Sequence, residues 1–376
     1  MRALKQIALT IVSVGLYSYT LLAGQLDDQI RARTEQSEAA DEIVPQDAVS
    51  ERRFLAVPVP IVDPTIGNGG GVAGLLTLPG SETNRKVPRS TIGAFAGYTD
   101  TDSWMVGAGF KLYLAEDQYR TTLNAGYGSL NLKYYGFGSD SIFFQDPVDY
   151  NIKGPFADGS VQLQVVEGTY AGLKGRYLRP AVSVKSPIDA LPDLSDSFEL
   201  AALGLTGTFD SRDNVWSPSS GNLATIDFLG YLSGFGFGDT FSKLDANFAK
   251  YWKLTDHLVL AGSFQTSYAS DDTPFFMLPF VSVRGIPGGQ YLDSTVVQGQ
   301  VELRWSVWRR FGVVGFAGGG VASDGIENLF DGSNAYGYGG GVRYQISEVD
   351  KLNIGIDLAK GSRDNLSIYF RIGEAF

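Results

Sequence analysis

The residues best suited to chemistry in this sequence are a lone arginine and a glutamate that follows it. Arg284 lies in Val283-Arg284-Gly285, between an apolar approach and a Gly/Pro-rich turn. Glu302 follows in a stretch that alternates apolar and polar residues, so its carboxylate lies on a polar face. An arginine that folds into an enclosed space needs a carboxylate to compensate its charge. We therefore predict that Arg284 pairs with Glu302; the alternative is a solvated arginine at a loop tip.

Residues for catalysis are scarce. The chain has no cysteine and one histidine, His257, which adjoins a predicted turn. A histidine is the usual base that activates serine or water. Acidic loop stretches at 100–102, 271–272 and 324–331 could bridge calcium or lipopolysaccharide, but they lack the spacing of a calcium loop. We therefore expect no enzymatic activity, no cofactor and no metal site.

Composition limits the possible partners. The net charge of −11 argues against nucleic-acid binding, because phosphates need a basic surface. No run of about 18 apolar residues follows residue 23, so no mature transmembrane helix is expected. The 47 glycines and 12% aromatic residues occur in alternating segments, as in membrane β-barrels, whose lipid face is hidden from averaged hydropathy.

The elements that must position Arg284 and Glu302 are strands, because the alternation has period two along most of the chain. We predict an all-β fold, a transmembrane antiparallel β-barrel of about sixteen strands in the outer membrane of a Gram-negative bacterium. In segment 295–307, Val301 and Leu303 would face lipid, and Glu302 would face the lumen. The predicted strands are 54–62, 69–78, 91–99, 104–114, 119–135, 150–166, 169–185, 197–210, 222–233, 241–254, 257–268, 295–307, 311–322, 335–346, 351–360 and 366–376.

The last predicted strand, 366–376, ends on an aromatic residue. Phe370, Ile372 and Phe376 fall on the face predicted to meet lipid, and Gly373 falls on the other face. We interpret these four residues as a C-terminal assembly signal. The partner that this signal implies is the barrel assembly machinery, during insertion.

The first residues of the chain have the pattern of a targeting sequence. Residues 1–24 combine early cations with an apolar stretch and then small residues, which predicts a signal peptide; an uncleaved anchor is the alternative. Residues 25–53 are polar and contain no aromatic residue, which predicts a flexible periplasmic tail. The barrel is expected over 54–376.

Two prolines occur in the first predicted strand. Pro58 and Pro60 are two apart, so both missing amide donors point toward the same neighbour. If that neighbour is the last strand, the barrel has a weak seam where it closes. If the prolines precede the ladder, they stiffen the chain where it enters the barrel.

Three motifs resemble the bacterial surface antigen superfamily of outer-membrane barrels, which includes BamA-like and TamA-like proteins. Val283-Arg284-Gly285 resembles the family's motif in its sixth external loop, and Val301-Glu302-Leu303-Arg304 resembles the strand that follows. A third resemblance, to the family's turn between strands eight and nine, is carried by Phe209, Asp210, Arg212, Asp213, Asn214, Pro218 and Gly221. In place of the family's FxDxG, this chain has Phe316 followed by Ala317-Gly318-Gly319-Gly320, so one usual partner of Arg284 is missing.

The resemblance implies a role in the translocation or insertion of protein or lipid at the outer membrane. No periplasmic POTRA domain fits in 25–53, so the chain resembles the POTRA-less subgroup. Expected partners are outer-membrane lipid and lipopolysaccharide, and an unidentified periplasmic protein. The alternatives are a passive solute channel of the same architecture and a structural or adhesive surface protein.

Overall fold

The computed structural model describes residues 53–79, 90–184, 194–214, 217–232, 240–347, 352–363 and 366–376. The predicted signal peptide, 1–24, and the predicted tail, 25–53, lie outside the described residues except for Arg53. The described residues contain no helix that is long and apolar enough to cross a membrane.

The chain forms one antiparallel β-barrel, as predicted. Within the described residues, eighteen strands make sixteen passes, because β7 with β8, and β9 with β10, each form a single interrupted pass. The strands are β1 Arg53–Asp63, β2 Gly67–Thr77, β3 Thr91–Thr99, β4 Trp104–Leu114, β5 Tyr119–Tyr134, β6 Val148–Val166, β7 Thr169–Leu178, β8 Ala181–Val184, β9 Leu194–Ser197, β10 Leu200–Asp210, β11 Gly221–Tyr231, β12 Phe241–Lys253, β13 Leu258–Ala269, β14 Thr295–Trp308, β15 Phe311–Ser323, β16 Ser333–Ser347, β17 Leu352–Gly361 and β18 Leu366–Ile372.

The interruptions replace two strands that were predicted to be continuous. The predicted strand 169–185 breaks between β7 and β8 at Arg179 and Pro180. Proline has no backbone donor for the ladder, so a break at this position is expected from its chemistry. Predicted strand 197–210 breaks opposite, and Phe198 N donates to the Pro180 backbone oxygen across the gap.

The two faces of the wall differ as the alternation predicts. In β14, Val301 is 54% exposed and Leu303 is 42% exposed on the outer face, whereas Glu302 between them is 0% exposed. Asp357 in β17 is also fully buried, between the exposed Ile356 and Leu358. The outer face is therefore apolar and the lumen contains buried charges, which is the arrangement of a membrane-spanning barrel.

The longest described connection folds into the barrel. This lumen loop, residues 270–294, begins after β13 and includes a short 3₁₀ helix at Phe275–Met277. Its apolar side chains join wall residues such as Val59 and Phe95 in one buried cluster. The barrel end that holds this cluster is called the loop rim, and the end with the short turns is called the turn rim.

The first and last strands meet without forming a ladder. β1 and β18 have Cα atoms within 8 Å of each other. The backbone ladders of the described residues run from β1 to β2 and onward to β18, and none joins β18 back to β1. We call this junction the seam; the barrel is therefore nearly closed.

The two prolines of β1 face the seam. Asp100 N donates to the Asn68 backbone oxygen, so even-numbered residues of β2 direct their backbone groups toward β3 and odd-numbered residues toward β1. The register pairs odd residues of β2 with odd residues of β1. Even-numbered residues of β1, including Pro58 and Pro60, therefore direct their backbone positions toward β18, where neither proline can donate a hydrogen bond.

The prediction for the end of the chain is wrong in part. β18 ends at Ile372, and Gly373 has a φ of +80°, which turns the backbone out of the strand. Phe376 therefore leaves the outer face and packs inside the barrel with Ala249 and Tyr251. Phe370 remains in β18 and is partly exposed, and the side chain of Ile372 lies outside the described part.

Candidate functional site

Arg284 lies in the lumen between two carboxylates from different strands. Its Nη1 is 2.6 Å from Glu302 Oε2 on β14 and 3.0 Å from Asp357 Oδ2 on β17. The Arg284 side chain is 4% exposed, and both carboxylate side chains are fully buried. The structure therefore brings together the predicted pair and adds a second carboxylate. These ion pairs attach the lumen loop to two strands of the wall.

A ring completes the environment of Arg284. Its guanidinium carbon lies 3.5 Å from the centre of the Phe316 ring, a stacked cation–π geometry. Burial lowers the pKa of Arg284 from its ordinary value, and the Glu302 and Asp357 carboxylates oppose that shift. An arginine keeps its proton under such conditions because its ordinary pKa is so high. The site is therefore a fixed cation clamped between anions and an aromatic face.

The charges continue along the wall toward the turn rim. Asp357 also pairs with Arg343 on β16, at 2.5 Å, and with Arg371 on β18, at 2.7 Å. Glu302 also pairs with Arg304, at 2.7 Å. Glu374 lies 2.9 Å from Arg343 and 3.9 Å from Arg304. Four guanidinium groups and three carboxylates thus form one network, which we call the lumen network.

The backbone of the loop motif rests on a pair of glycines in the wall. Gly337 of β16 and Gly361 of β17 are direct partners in the ladder. A Cβ on Gly337 would lie 2.1 Å from the Arg284 backbone oxygen, and one on Gly361 would lie 2.2 Å from the Gly285 backbone oxygen. Gly285 itself has a φ of +98°. The wall therefore admits the loop only because these positions have no side chain.

Gly337 and Gly361 form a cradle for the backbone of the loop motif, and a side chain at either position should displace the lumen loop. Gly337→Val is expected to destabilise the folded barrel by about 1–3 kcal/mol, as overpacking does, and to expose the lumen loop to protease. Urea unfolding and limited proteolysis measure the two effects. The matched control is Gly315→Val, because a Cβ at Gly315 meets nothing within 4 Å. Wild-type stability and protection in Gly337→Val would contradict this account of the cradle.

The predicted turn motif is held by its own side chains. Arg212 Nη2 is 2.8 Å from Asp210 Oδ2. The Asp213 and Asn214 side chains accept hydrogen bonds from backbone N–H groups of 217–220, at 2.8–3.0 Å. These contacts keep the long connection between β10 and β11 compact at the turn rim.

The turn motif also contacts the lumen network. The Pro218 backbone oxygen accepts a hydrogen bond from Arg304 Nη1, at 3.2 Å. Arg304 Nη2 donates to the backbone oxygen of Phe376, at 2.9 Å. Gly221 ends the turn with a φ of +100°, and Phe209 is 40% exposed on the outer face. Arg304 therefore joins the turn and the end of the chain to the strand that carries Glu302.

Sequence reasoning missed part of the site. Asp357 was not predicted as a partner of Arg284. Arg343, Arg371 and Phe316 were not predicted at all as neighbours of that charge. A charged residue within an alternating strand, on the face opposite its apolar residues, is the signal that could have found Asp357 and Arg343.

Comparison with known proteins agrees with this architecture. The Omp85 superfamily domain matches residues 96–376. Comparison with curated proteins gives no match. Among solved structures, the chain is similar to BamA from Haemophilus ducreyi lacking POTRA domains 1–3, with a TM-score of 0.57, 15% identity, and coverage of 85% of this chain and 69% of that one.

Two further structures show the same fold. CdiB from Escherichia coli has a TM-score of 0.56 and 14% identity, and CdiB from Acinetobacter baumannii has a TM-score of 0.55 and 11% identity. Each comparison covers 85% of this chain, but only 62% and 59% of the respective CdiB chains. At these identities the likeness shows the fold alone. The domain match, which covers well over half of the chain, confirms the family resemblance read from the motifs: the chain belongs to the Omp85 superfamily.

Proposed function

We propose that this barrel resides in the outer membrane and translocates or inserts protein or lipid there. The observation that carries the proposal is the combination of a lumen closed by its own loop with a wall that is incomplete at the seam. A client would leave sideways between β1 and β18, because the described lumen is filled at the loop rim.

The closed lumen supports this role over a permanent pore. Phe275, Phe276 and Met277 of the lumen loop are buried in the apolar cluster at the loop rim. A second connection, 135–147, packs above them, where the Phe144 ring lies 5.2 Å from the ring of Tyr291. Arg363, from the connection between β17 and β18, donates to the Phe144 backbone oxygen at 2.6 Å.

The seam supports a lateral route. Separating two paired strands requires breaking a ladder of backbone hydrogen bonds, and unsatisfied backbone groups are costly in lipid. Pro58 and Pro60 remove two donors from the edge that faces β18. Opening the wall at this junction therefore costs less than opening it between any two strands that share a ladder.

A passive solute channel is the second candidate. It would keep the lumen loop as a constriction and conduct around it. The buried lumen network favours it, because charged walls line selective pores. The apolar cluster at the loop rim opposes it, because an ion path through buried aromatic side chains would be dry. A structural or adhesive surface protein would instead depend on the exposed loops alone.

Conductance in a planar bilayer distinguishes these roles. We expect brief, fluctuating openings from the full-length protein, because the loop must leave the lumen before ions can pass. Arg284→Ala should increase their frequency and duration, because it removes the loop's ionic attachment. A stable ion-selective pore that does not depend on Arg284 would support the channel. No conductance in either protein would favour the structural role.

The proposed partners follow from this placement. The apolar outer face would contact outer-membrane lipid and lipopolysaccharide, and the barrel assembly machinery would insert the chain. An unidentified periplasmic protein would deliver the client at the turn rim. We expect no enzymatic activity, because the proposed role requires only passage through the seam and its opening and closing.

A further inference from the structure

One segment of the lumen loop crosses the seam and touches both of its sides. Residues 285–291 follow Arg284 directly and contain the Gly/Pro-rich turn. They contact the β1–β2 turn on one side, and β18 with its preceding connection on the other. We call this segment the clasp. The described residues of β1 and β18 share no ladder. The hydrogen bonds of the clasp therefore connect the two sides of the seam where the backbone does not.

The clasp is attached to the first hairpin at Thr65. Gly288 N donates to Thr65 Oγ1 at 2.8 Å. Thr65 is itself held in the turn, because Asp63 Oδ1 accepts a hydrogen bond from its backbone N–H at 2.7 Å. The neighbouring Ile66 is buried in the same apolar cluster as Phe280 of the lumen loop. One hydrogen bond therefore joins the clasp to this hairpin, and apolar contacts join the hairpin to an earlier part of the lumen loop.

The attachment to the last strands is stronger. Gly285 N donates to Tyr369 Oη on β18 at 2.8 Å, and the Tyr291 and Ser362 hydroxyls lie 3.0 Å apart. Arg284, immediately before the clasp, is ion-paired with Glu302 and Asp357. The β14 and β17 strands that carry these carboxylates lie on the β18 side of the seam, because consecutive ladders join β14 through β17 to β18.

We propose that residues 285–291 hold the seam closed, and that the seam opens by release of the β1–β2 hairpin from the clasp. The lumen loop stays with β14–β18, to which it is attached by ion pairs and two hydroxyl contacts. The first hairpin moves, because Thr65 is its only hydrogen bond to the clasp among the described residues. The proposal rests on the proposed function only in taking the seam as the route.

The distance across the seam tests this directly. The chain has no cysteine, so spin labels can be placed at Val72→Cys and Ile368→Cys without background. Both side chains are exposed on the outer face, and Val72 is paired with Pro58, so it reports the position of β1. Electron–electron double resonance on the full chain in phosphatidylcholine bilayers gives the distribution of distances.

Thr65→Val should increase the population with a widened seam about fivefold, the factor for one net hydrogen bond. Tyr369→Phe should have a smaller effect, because the Ser362 contact and the Arg284 ion pairs remain. Thr65→Ser keeps the hydroxyl and should match wild type. Tyr338→Phe, on the exposed face of β16, should also match wild type.

Several results would overturn the clasp. One is an unchanged distribution in Thr65→Val, and another is a larger effect from Tyr369→Phe than from Thr65→Val. A label pair away from the seam, Val106→Cys with Leu205→Cys, must keep its distance in Thr65→Val. A shift in both pairs would mean general loosening and would also overturn the clasp.

The measurement separates the clasp from the proposed function because it reads a distance and no transport. If Thr65→Val widens the seam but the barrel transports no client, the clasp proposal stands and the proposed function is wrong. If the barrel transports clients but Thr65→Val leaves the seam distance unchanged, the proposed function stands and the clasp proposal is wrong.

Discussion

Arg284→Ala should release the lumen loop and destabilise the barrel by about 3 kcal/mol, the low end of the range for breaking a buried ion pair. The low end applies because neither carboxylate loses all of its partners. Glu302 keeps Arg304, and Asp357 keeps Arg343 and Arg371. The lumen loop loses its ionic attachment entirely, so its protection from protease should fall more than the stability of the wall.

Arg284→Lys should weaken the attachment of the lumen loop nearly as much as Arg284→Ala does. A lysine ammonium is a compact point charge, whereas the guanidinium pairs with two carboxylates and stacks on a ring at once. The contact with the Phe316 ring, 3.5 Å from the guanidinium carbon, depends on that planar group. Recovery of wild-type behaviour in Arg284→Lys would show that charge alone holds the loop.

Urea unfolding in lipid vesicles and limited proteolysis of the lumen loop measure these effects. The control is Arg179→Ala, since Arg179 is exposed and substitutions at such positions usually change stability by about 0.5 kcal/mol or less. Unchanged stability together with an unchanged cleavage pattern in Arg284→Ala would contradict the role assigned to this residue.

The alternation of side chains was enough to predict the wall. In β14, the apolar Val301 and Leu303 flank Glu302, and only one strand register places the first two in lipid and the third in the lumen. The pairing of Arg284 with Glu302 could be anticipated on similar grounds, because an enclosed cation needs a nearby anion. Such inferences need only local sequence and the cost of burying a charge.

The other partners of Arg284 required the closed barrel. Asp357 lies 73 residues beyond Arg284, and the two side chains meet only because the wall curves around the lumen loop. The family pattern pointed to an aspartate near Phe316, where this chain has glycines. The ring of Phe316 stacks on the guanidinium, and the second carboxylate comes from β17 instead. The separation of two residues along the sequence does not show whether their side chains meet across the lumen.

The end of the chain shows a different limit. Periodicity extended β18 to Phe376, because apolar residues alternate through Ile372 and Phe376 falls on the same face beyond the charged Glu374. A single residue with positive φ, Gly373, redirects the backbone, and the Arg304 guanidinium then binds the Phe376 backbone oxygen. Glycine allows such a turn without requiring it, so the sequence alone does not decide between the two courses.

A disulfide between β1 and β18 is expected to stop the proposed activity while leaving the barrel folded. Lateral release requires the two strands to separate, and a covalent link forbids this whatever the state of the lumen loop. The native chain has no cysteine, so a series of single pairs between 54–62 and 366–372 can be tested without rearrangement. Cysteine pairs placed between β14 and β15, which share a ladder, serve as controls for the effect of introducing a disulfide away from the seam.

The most direct test compares oxidised and reduced seam variants in vesicles. The probes are insertion of a denatured outer-membrane barrel and flipping of a fluorescent phospholipid. The account predicts that at least one activity is present in the reduced protein, falls to the level of empty vesicles on oxidation, and returns when the disulfide is reduced. Equal activity in the oxidised and reduced proteins, or neither activity in the reduced protein, would contradict lateral passage through the seam.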